Sequence, residues 1–131
     1  LDELVGMRRQ QARYFTYALS KYADFLQLPV EAPNTKHSYF AYPVTVREGA
    51  PFTKKELVTF LEGKGLETRP IEGSNMAIQP AMKYLKFRAE DLTNTEYIHA
   101  NSFFFGLHQG LGMGQQQAIV SYFDEFMGRY A

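Results

Sequence analysis

Apolar residues at helical spacing and at strand spacing alternate along this chain, and that alternation restricts the fold more than any other feature. From Asp2 to about Leu26, the residues Leu1, Val5, Ala12, Phe15, Leu19, Tyr22 and Leu26 recur at intervals of three, four or seven and share one helical face. Arg8 interrupts that stripe, while Arg9, Gln10, Gln11, Lys21 and Asp24 supply the polar side. Pro29 and Pro33 close the helix and make an extended connector. Ser38 to Arg47 then alternates as a strand, with Phe40, Tyr42, Val44 and Val46 on one face. Pro43 lacks an N–H, which suggests an edge position or a bulge. Thr53-Lys54-Lys55-Glu56 spells a capping box, flanked by Phe52 and Leu57 at the positions of a hydrophobic staple, and the helix is expected to stop at Gly63 or Gly65.

The second half repeats the pattern. Leu66 to Ile71 reads as a strand running into the turn residues Glu72-Gly73-Ser74-Asn75. Met76 to Phe87 stays open between loop and short helix, with Pro80 as a possible helix start. Thr93-Asn94-Thr95-Glu96 reads as another capping box, and Ser102 to Leu107 as a short apolar strand. A glycine-rich stretch leads into a final helix bearing Ile119, Phe123, Phe126, Met127 and Tyr130. The expected class is α+β: a small, mainly antiparallel or mixed sheet covered on one side by helices, with long helices at both ends.

A chain of 131 residues fits one domain over 1–131. Its 14 basic and 14 acidic residues balance to a formal net charge of zero, which argues against nucleic acid or an anionic membrane as partner. There is no cysteine, so disulfides, thiolate metal sites and a cysteine nucleophile are excluded. No apolar run of about 18 residues appears, and no leader is visible, so the expectation is a cytoplasmic protein. The opening Leu1 suggests a piece of a longer protein.

His37, His99 and His108 are far apart and form no ligand pair, so no metal is expected. No nucleophile elbow or phosphate-binding glycine fingerprint is present, and Gly110 to Gly114 reads as a lead-in to the last helix. Three clusters suit ligand contact. Arg69, near a strand end, can grip a carboxylate or phosphate with its fork, or be a plain surface arginine. Asn75 and Gln79, on or beside a turn, suit hydroxyl or phosphate recognition, or simply the turn itself. His108, ending an apolar strand, can face a cleft or be a satisfied lone histidine.

Ser38-Tyr39-Phe40-Ala41-Tyr42-Pro43, Gly65-Leu66-Glu67-Thr68-Arg69-Pro70, Gly73-Ser74-Asn75 with Gln79-Pro80-Ala81, and Asn101 through His108 stand in an order that resembles the C-terminal domain of the DegT/DnrJ/EryC1/StrS family. The resemblance covers essentially the whole chain. It is nearest to the nucleotide-sugar 3-dehydratase branch, with Tyr39 where that branch often has Trp and Gln109 where the family commonly has Pro. It implies the small domain of a fold type I enzyme using pyridoxal or pyridoxamine phosphate (PLP or PMP), with the large cofactor-binding domain outside this chain. No lysine here matches the family's cofactor-attachment motif. The implied reaction removes the 3-hydroxyl of a nucleotide-linked 4-keto-deoxyhexose, the cofactor acting as electron sink. The resemblance further implies a homodimeric parent protein and, for some dehydratases, an iron–sulfur flavoprotein reductase as partner. This fragment carries no catalytic residue on that reading; Arg69, Asn75, His108, Ser38 and Gln79 are its expected substrate contacts.

Alternatives stay open at this point. The same domain occurs in the sugar aminotransferases. From another class, a non-catalytic binding module stacking bases on Tyr14, Tyr17 and Tyr22 is conceivable, although no basic-Gly-aromatic string accompanies them. An interaction domain without any site is the plainest alternative.

Overall fold

The computed structural model describes residues 1–72 and 75–130. The element order is α1 (Asp2–Leu19), a 3₁₀ turn (Ser20–Tyr22), β1 (Leu26–Gln27), β2 (Ala41–Val46), α2 (Lys54–Gly63), β3 (Thr68–Pro70), two 3₁₀ turns (Met76–Ile78 and Pro80–Tyr84), α3 (Thr93–Asn101), β4 (Ser102–Gly106) and α4 (Met113–Met127). The four strands form one sheet in the order β1-β2-β4-β3, every neighbouring pair antiparallel. The α+β expectation therefore holds, with the antiparallel arrangement of the two options.

Strand alternation sorts the sheet into two faces. Tyr42, Val44 and Val46 of β2 and Phe103 and Phe105 of β4 are buried with Phe15 and Leu19 of α1, Leu57 and Leu61 of α2, and Phe123 and Phe126 of α4. Phe105 sits at the centre: its ring centroid lies 5.1 Å from Phe15, 5.3 Å from Tyr42 and 6.3 Å from Phe123. Edge-on and tilted aromatic pairs of this kind add to area burial. Burial pushes the Tyr42 phenol up to about 12, and its oxygen shares a 2.9 Å hydrogen bond with Thr16. The opposite face carries Pro43, Phe104 and Arg69 in one cross-strand row.

Helix α2 follows the sequence signal closely. The Thr53 Oγ accepts the Glu56 N–H at 3.2 Å, the Thr53 N–H donates to the Glu56 carboxylate at 2.7 Å, and Phe52 and Leu57 are both buried. Gly65, at φ 87°, reverses the chain after the helix, where the Leu66 N–H reaches the Leu61 carbonyl. Pro43 is also explained. The bond from the Leu107 N–H to the Phe40 carbonyl sets the phase of the β2–β4 ladder, so the nitrogen of Pro43 faces away from β4. On that side β1 pairs only with Thr45 and Val46, and Pro43 therefore lies on a locally open edge.

Other expectations need correction. The opening helix ends at Leu19, not near Leu26. Leu26 belongs instead to β1, where it pairs with Val46 and is fully buried; its helical phase was coincidental with a second way of reaching the same core. Tyr22 donates its hydroxyl to Asp124 at 2.7 Å, and Tyr17 faces solvent, so the tyrosines form no shared platform. Phe40 leaves the core row: Tyr39 adopts a positive φ of 48°, the strand begins only at Ala41, and the Phe40 ring meets Phe104 at 5.7 Å. The capping box at Thr93 does not form, because Asp91 takes both the Thr93 N–H (2.9 Å) and its hydroxyl (2.6 Å). Met76 to Tyr84 makes two 3₁₀ turns, the second starting at Pro80. Gly73 and Ser74 lie outside the described residues.

The connector between β1 and β2 is held by a clasp that no local pattern announced. Arg9 forks onto Glu31 with bonds of 2.6 and 2.8 Å and donates to the His37 carbonyl at 2.7 Å, while the His37 N–H reaches Glu31 at 2.5 Å. The Arg9 guanidinium holds the Glu31 carboxyl down at about 2, with the His37 N–H adding to the effect.

Two predictions follow from these contacts. Phe105→Ala empties the meeting point of four aromatic rings and should cost about 3–5 kcal/mol in a denaturant titration. For the clasp, the folded Glu31 value lies below the unfolded carboxylate value of about 4.3, so its contribution is complete above that pH and is lost as pH falls through about 2. An NMR titration should find the Glu31 carboxyl midpoint near 2, and Arg9→Met should return it toward the ordinary range.

Candidate functional site

The chain's functional candidates gather at the end of the sheet where β2 begins and β4 finishes. Pairing continues one step past the strands, from the Leu107 N–H to the Phe40 carbonyl at 3.2 Å, and this sets His108 across from the Ser38–Tyr39 stretch. Each side is anchored from α1. Arg9 fixes the connector through the His37 carbonyl, and the buried Gln11 amide donates to the carbonyls of His108 (3.0 Å) and Leu111 (3.1 Å).

His108 is exposed and accepts the Gly110 N–H on Nδ1 at 3.1 Å, which leaves Nε2 as the ring's outward nitrogen. Ser38 is exposed, and its hydroxyl has no protein partner among the described residues. Beside it the His37 and Tyr39 rings stack at 4.3 Å, with the His37 Nδ1 accepting the Tyr39 N–H.

Arg69 stands on β3 opposite Phe104. Its side chain is 62% exposed, and its guanidinium pairs with Glu67 and donates to the Thr68 carbonyl at 3.1 Å. It lines two open hollows. One, of about 390 Å³, lies against α2 and includes Lys54, Glu62, Thr68 and Phe103. The other, of about 220 Å³, is formed by Glu67, Arg69, Phe104 and Gly106. Gly106 follows Phe104 by two residues and precedes His108 by two, so the smaller hollow runs along β4 toward the His108 end.

Asn75 has a different setting. It is 1% exposed, and its Oδ1 accepts the Ala77 N–H at 3.0 Å, capping the first 3₁₀ turn; its Nδ2 has no hydrogen-bond partner among the described residues. Gln79 joins the two 3₁₀ turns through its own backbone, donating to Met76 and accepting from Met82. The structure thus groups Ser38 and His108 at one sheet end with Arg69 along the adjoining face. Asn75 and Gln79 sit on the segment after β3, and neither lines the hollows at Arg69.

Arg9, Gln11 and Glu31 were not singled out in the sequence as functional. Arg9 reaches Glu31 and the His37 carbonyl across 22 and 28 positions and Gln11 reaches the His108 carbonyl across 97, and no local spacing encodes that. Lys54 is likewise a product of packing: it donates to the His99 carbonyl at 2.5 Å, and burial lowers its affinity for the proton.

These residues do not by themselves complete a site for a pyridoxal phosphate group. The half-buried Lys54 is committed to a carbonyl and Arg69 to Glu67, and the hollows they line are open to solvent. Among the described residues no acidic and histidine cluster offers a metal site, and no helix is long and apolar enough to cross a membrane.

Known proteins agree with this architecture. The lipopolysaccharide biosynthesis protein RfbH of Salmonella typhimurium is 32% identical over 129 residues, covering 98% of this chain and 30% of the relative. A dTDP-4-dehydro-2,6-dideoxy-D-glucose 3-dehydratase of Saccharopolyspora spinosa is 31% identical over 93% of this chain and 26% of its own length. The Escherichia coli GDP-4-keto-6-deoxy-D-mannose-3-dehydratase, solved with bound hydrated PLP, superposes with a TM-score of 0.78 at 25% identity, covering 90% of this chain and 30% of that one. The chain therefore spans less than a third of the length of these relatives. A family match over residues 1–124, joined to this fold, places the chain in the DegT/DnrJ/EryC1/StrS aminotransferase family.

Proposed function

We propose that this chain is the small, C-terminal domain of a nucleotide-sugar 3-dehydratase dependent on PLP or PMP, and that it forms one wall of the substrate cleft. The observation that carries the reading is the 31% identity, over 93% of this chain, to a protein named as a sugar-nucleotide 3-dehydratase. The large domain, outside these residues, holds the cofactor and the catalytic base. This accords with a donor set on the present chain that is committed to internal partners.

The wall's own chemistry is recognition. Arg69 offers a guanidinium fork to a phosphate or sugar oxygen once it is shared with or released from Glu67. His108 presents Nε2, and Ser38 a hydroxyl, from loops that Gln11 and Arg9 hold in place. The buried Asn75 acts by shaping the turn after β3, and Gln79 by joining the following turns, with any ligand contact made through that segment. The same reading carries a homodimeric parent, a cytoplasmic location and an iron–sulfur flavoprotein reductase as electron donor.

In the intact protein that contains this chain, Arg69→Ala and His108→Ala should each raise the KM for the nucleotide sugar by roughly tenfold, with kcat less affected. Unchanged kinetics for both would remove the cleft-wall role. The second reading, a sugar aminotransferase, is favoured by the family's own description. Borohydride treatment separates the two: covalent retention of the cofactor on a lysine marks the aminotransferase, and sugar dehydration without such retention marks the dehydratase.

A further inference from the structure

We infer that Arg8 is an oxyanion site: its guanidinium receives a phosphate or carboxylate supplied from outside these 131 residues. Arg8 breaks the apolar stripe of α1, whose later positions Ala12, Phe15 and Leu19 are buried in the core. The residue is half-buried, and its Nε is buried with no hydrogen-bond partner among the described residues. Among the described residues it makes no ion pair. The contrast with the adjacent Arg9, which spends its fork on Glu31 and the His37 carbonyl, is sharp. A desolvated guanidinium donor left unpaired is costly, and folded proteins seldom retain one without a partner.

The position says what kind of partner is required. Gln11 lies one helical turn further along the same face and grips the His108 carbonyl, while Arg9 grips the His37 carbonyl. Arg8 therefore stands on α1 between the two contacts that set the candidate sheet end. The buried Gln11 Oε1 is also without a partner among the described residues. Water alone at Arg8 would leave the positive charge unneutralised. A guanidinium with unspent donors matches an oxyanion, which neutralises the charge and accepts two bonds at once. This inference does not depend on which reaction the parent protein performs.

The test uses the intact protein carrying this chain, with inorganic pyrophosphate as the phosphate probe. Arg8→Met keeps the aliphatic stem and deletes the charge. If the oxyanion is a ligand phosphate, calorimetry should show pyrophosphate affinity reduced by roughly tenfold or more, with the ligand-free melting temperature unchanged. If it is a carboxylate from the rest of the protein, the melting temperature should drop by several degrees, Arg8→Lys should recover part of it, and pyrophosphate binding should not change. If neither quantity moves, the inference is overturned. Should Arg8→Met not fold, phenylglyoxal labelling of the wild-type protein decides, with the exposed Arg13 of the same helix as internal reference. Pyrophosphate that slows the labelling of Arg8 while leaving that of Arg13 unchanged supports the site. Equal reactivity in both conditions overturns it.

Discussion

The packing of Phe105 against rings from three other elements is the constraint on which the rest of this structure depends. Phe15 comes from α1, Tyr42 from β2 and Phe123 from α4, so one side chain on β4 fixes the two terminal helices against the middle of the sheet. β4 is also paired along both edges, with β2 on one side and β3 on the other. Strand and helices are therefore not independent units. The end of β4, where His108 emerges, inherits its position from that core, and the α1 residues that reach the loops do so because Phe15 has already oriented their helix.

What was readable in the chain and what was not divides along a physical line. Thr53, Glu56, Phe52 and Leu57 specify a helix start within a few residues, so their pattern and their structure agree. Pro43 likewise carried its edge position in its missing N–H. Leu26 was misplaced because a helical phase and a two-residue strand put the same side chain into the same core, and only the pairing with Val46 tells them apart. Thr93 met a competitor: Asp91, two residues earlier, accepts the Thr93 N–H that a capping box would give to Glu96. The Arg9–Glu31 clasp and the Gln11 contacts needed the tertiary fold to exist first.

The candidate site shows the same division. Residue type pointed to Arg69, His108 and Ser38; register sets Arg69 opposite Phe104, and the Leu107–Phe40 bond leaves His108 and Ser38 just beyond the same end of the β2–β4 pair. Asn75 was chosen for its amide, yet the turn it caps uses half of that amide and buries the remainder. A polar residue on a loop is informative about recognition only after its obligations to the backbone have been subtracted. The chain spans less than a third of the length of the matched proteins, so these residues are only part of what such a protein contains.

The two prolines in the sheet have a consequence for how this piece behaves in solution. The ladder phase that turns the Pro43 nitrogen away from β4 on one side also turns the nitrogen of Pro70, paired with Phe103, toward the outer border of β3. Each open margin thus presents a ring where an incoming extended segment would need a donor. A neighbouring copy cannot pair its backbone continuously past Pro43 on β2 or past Pro70 on β3, which limits edge-to-edge association there.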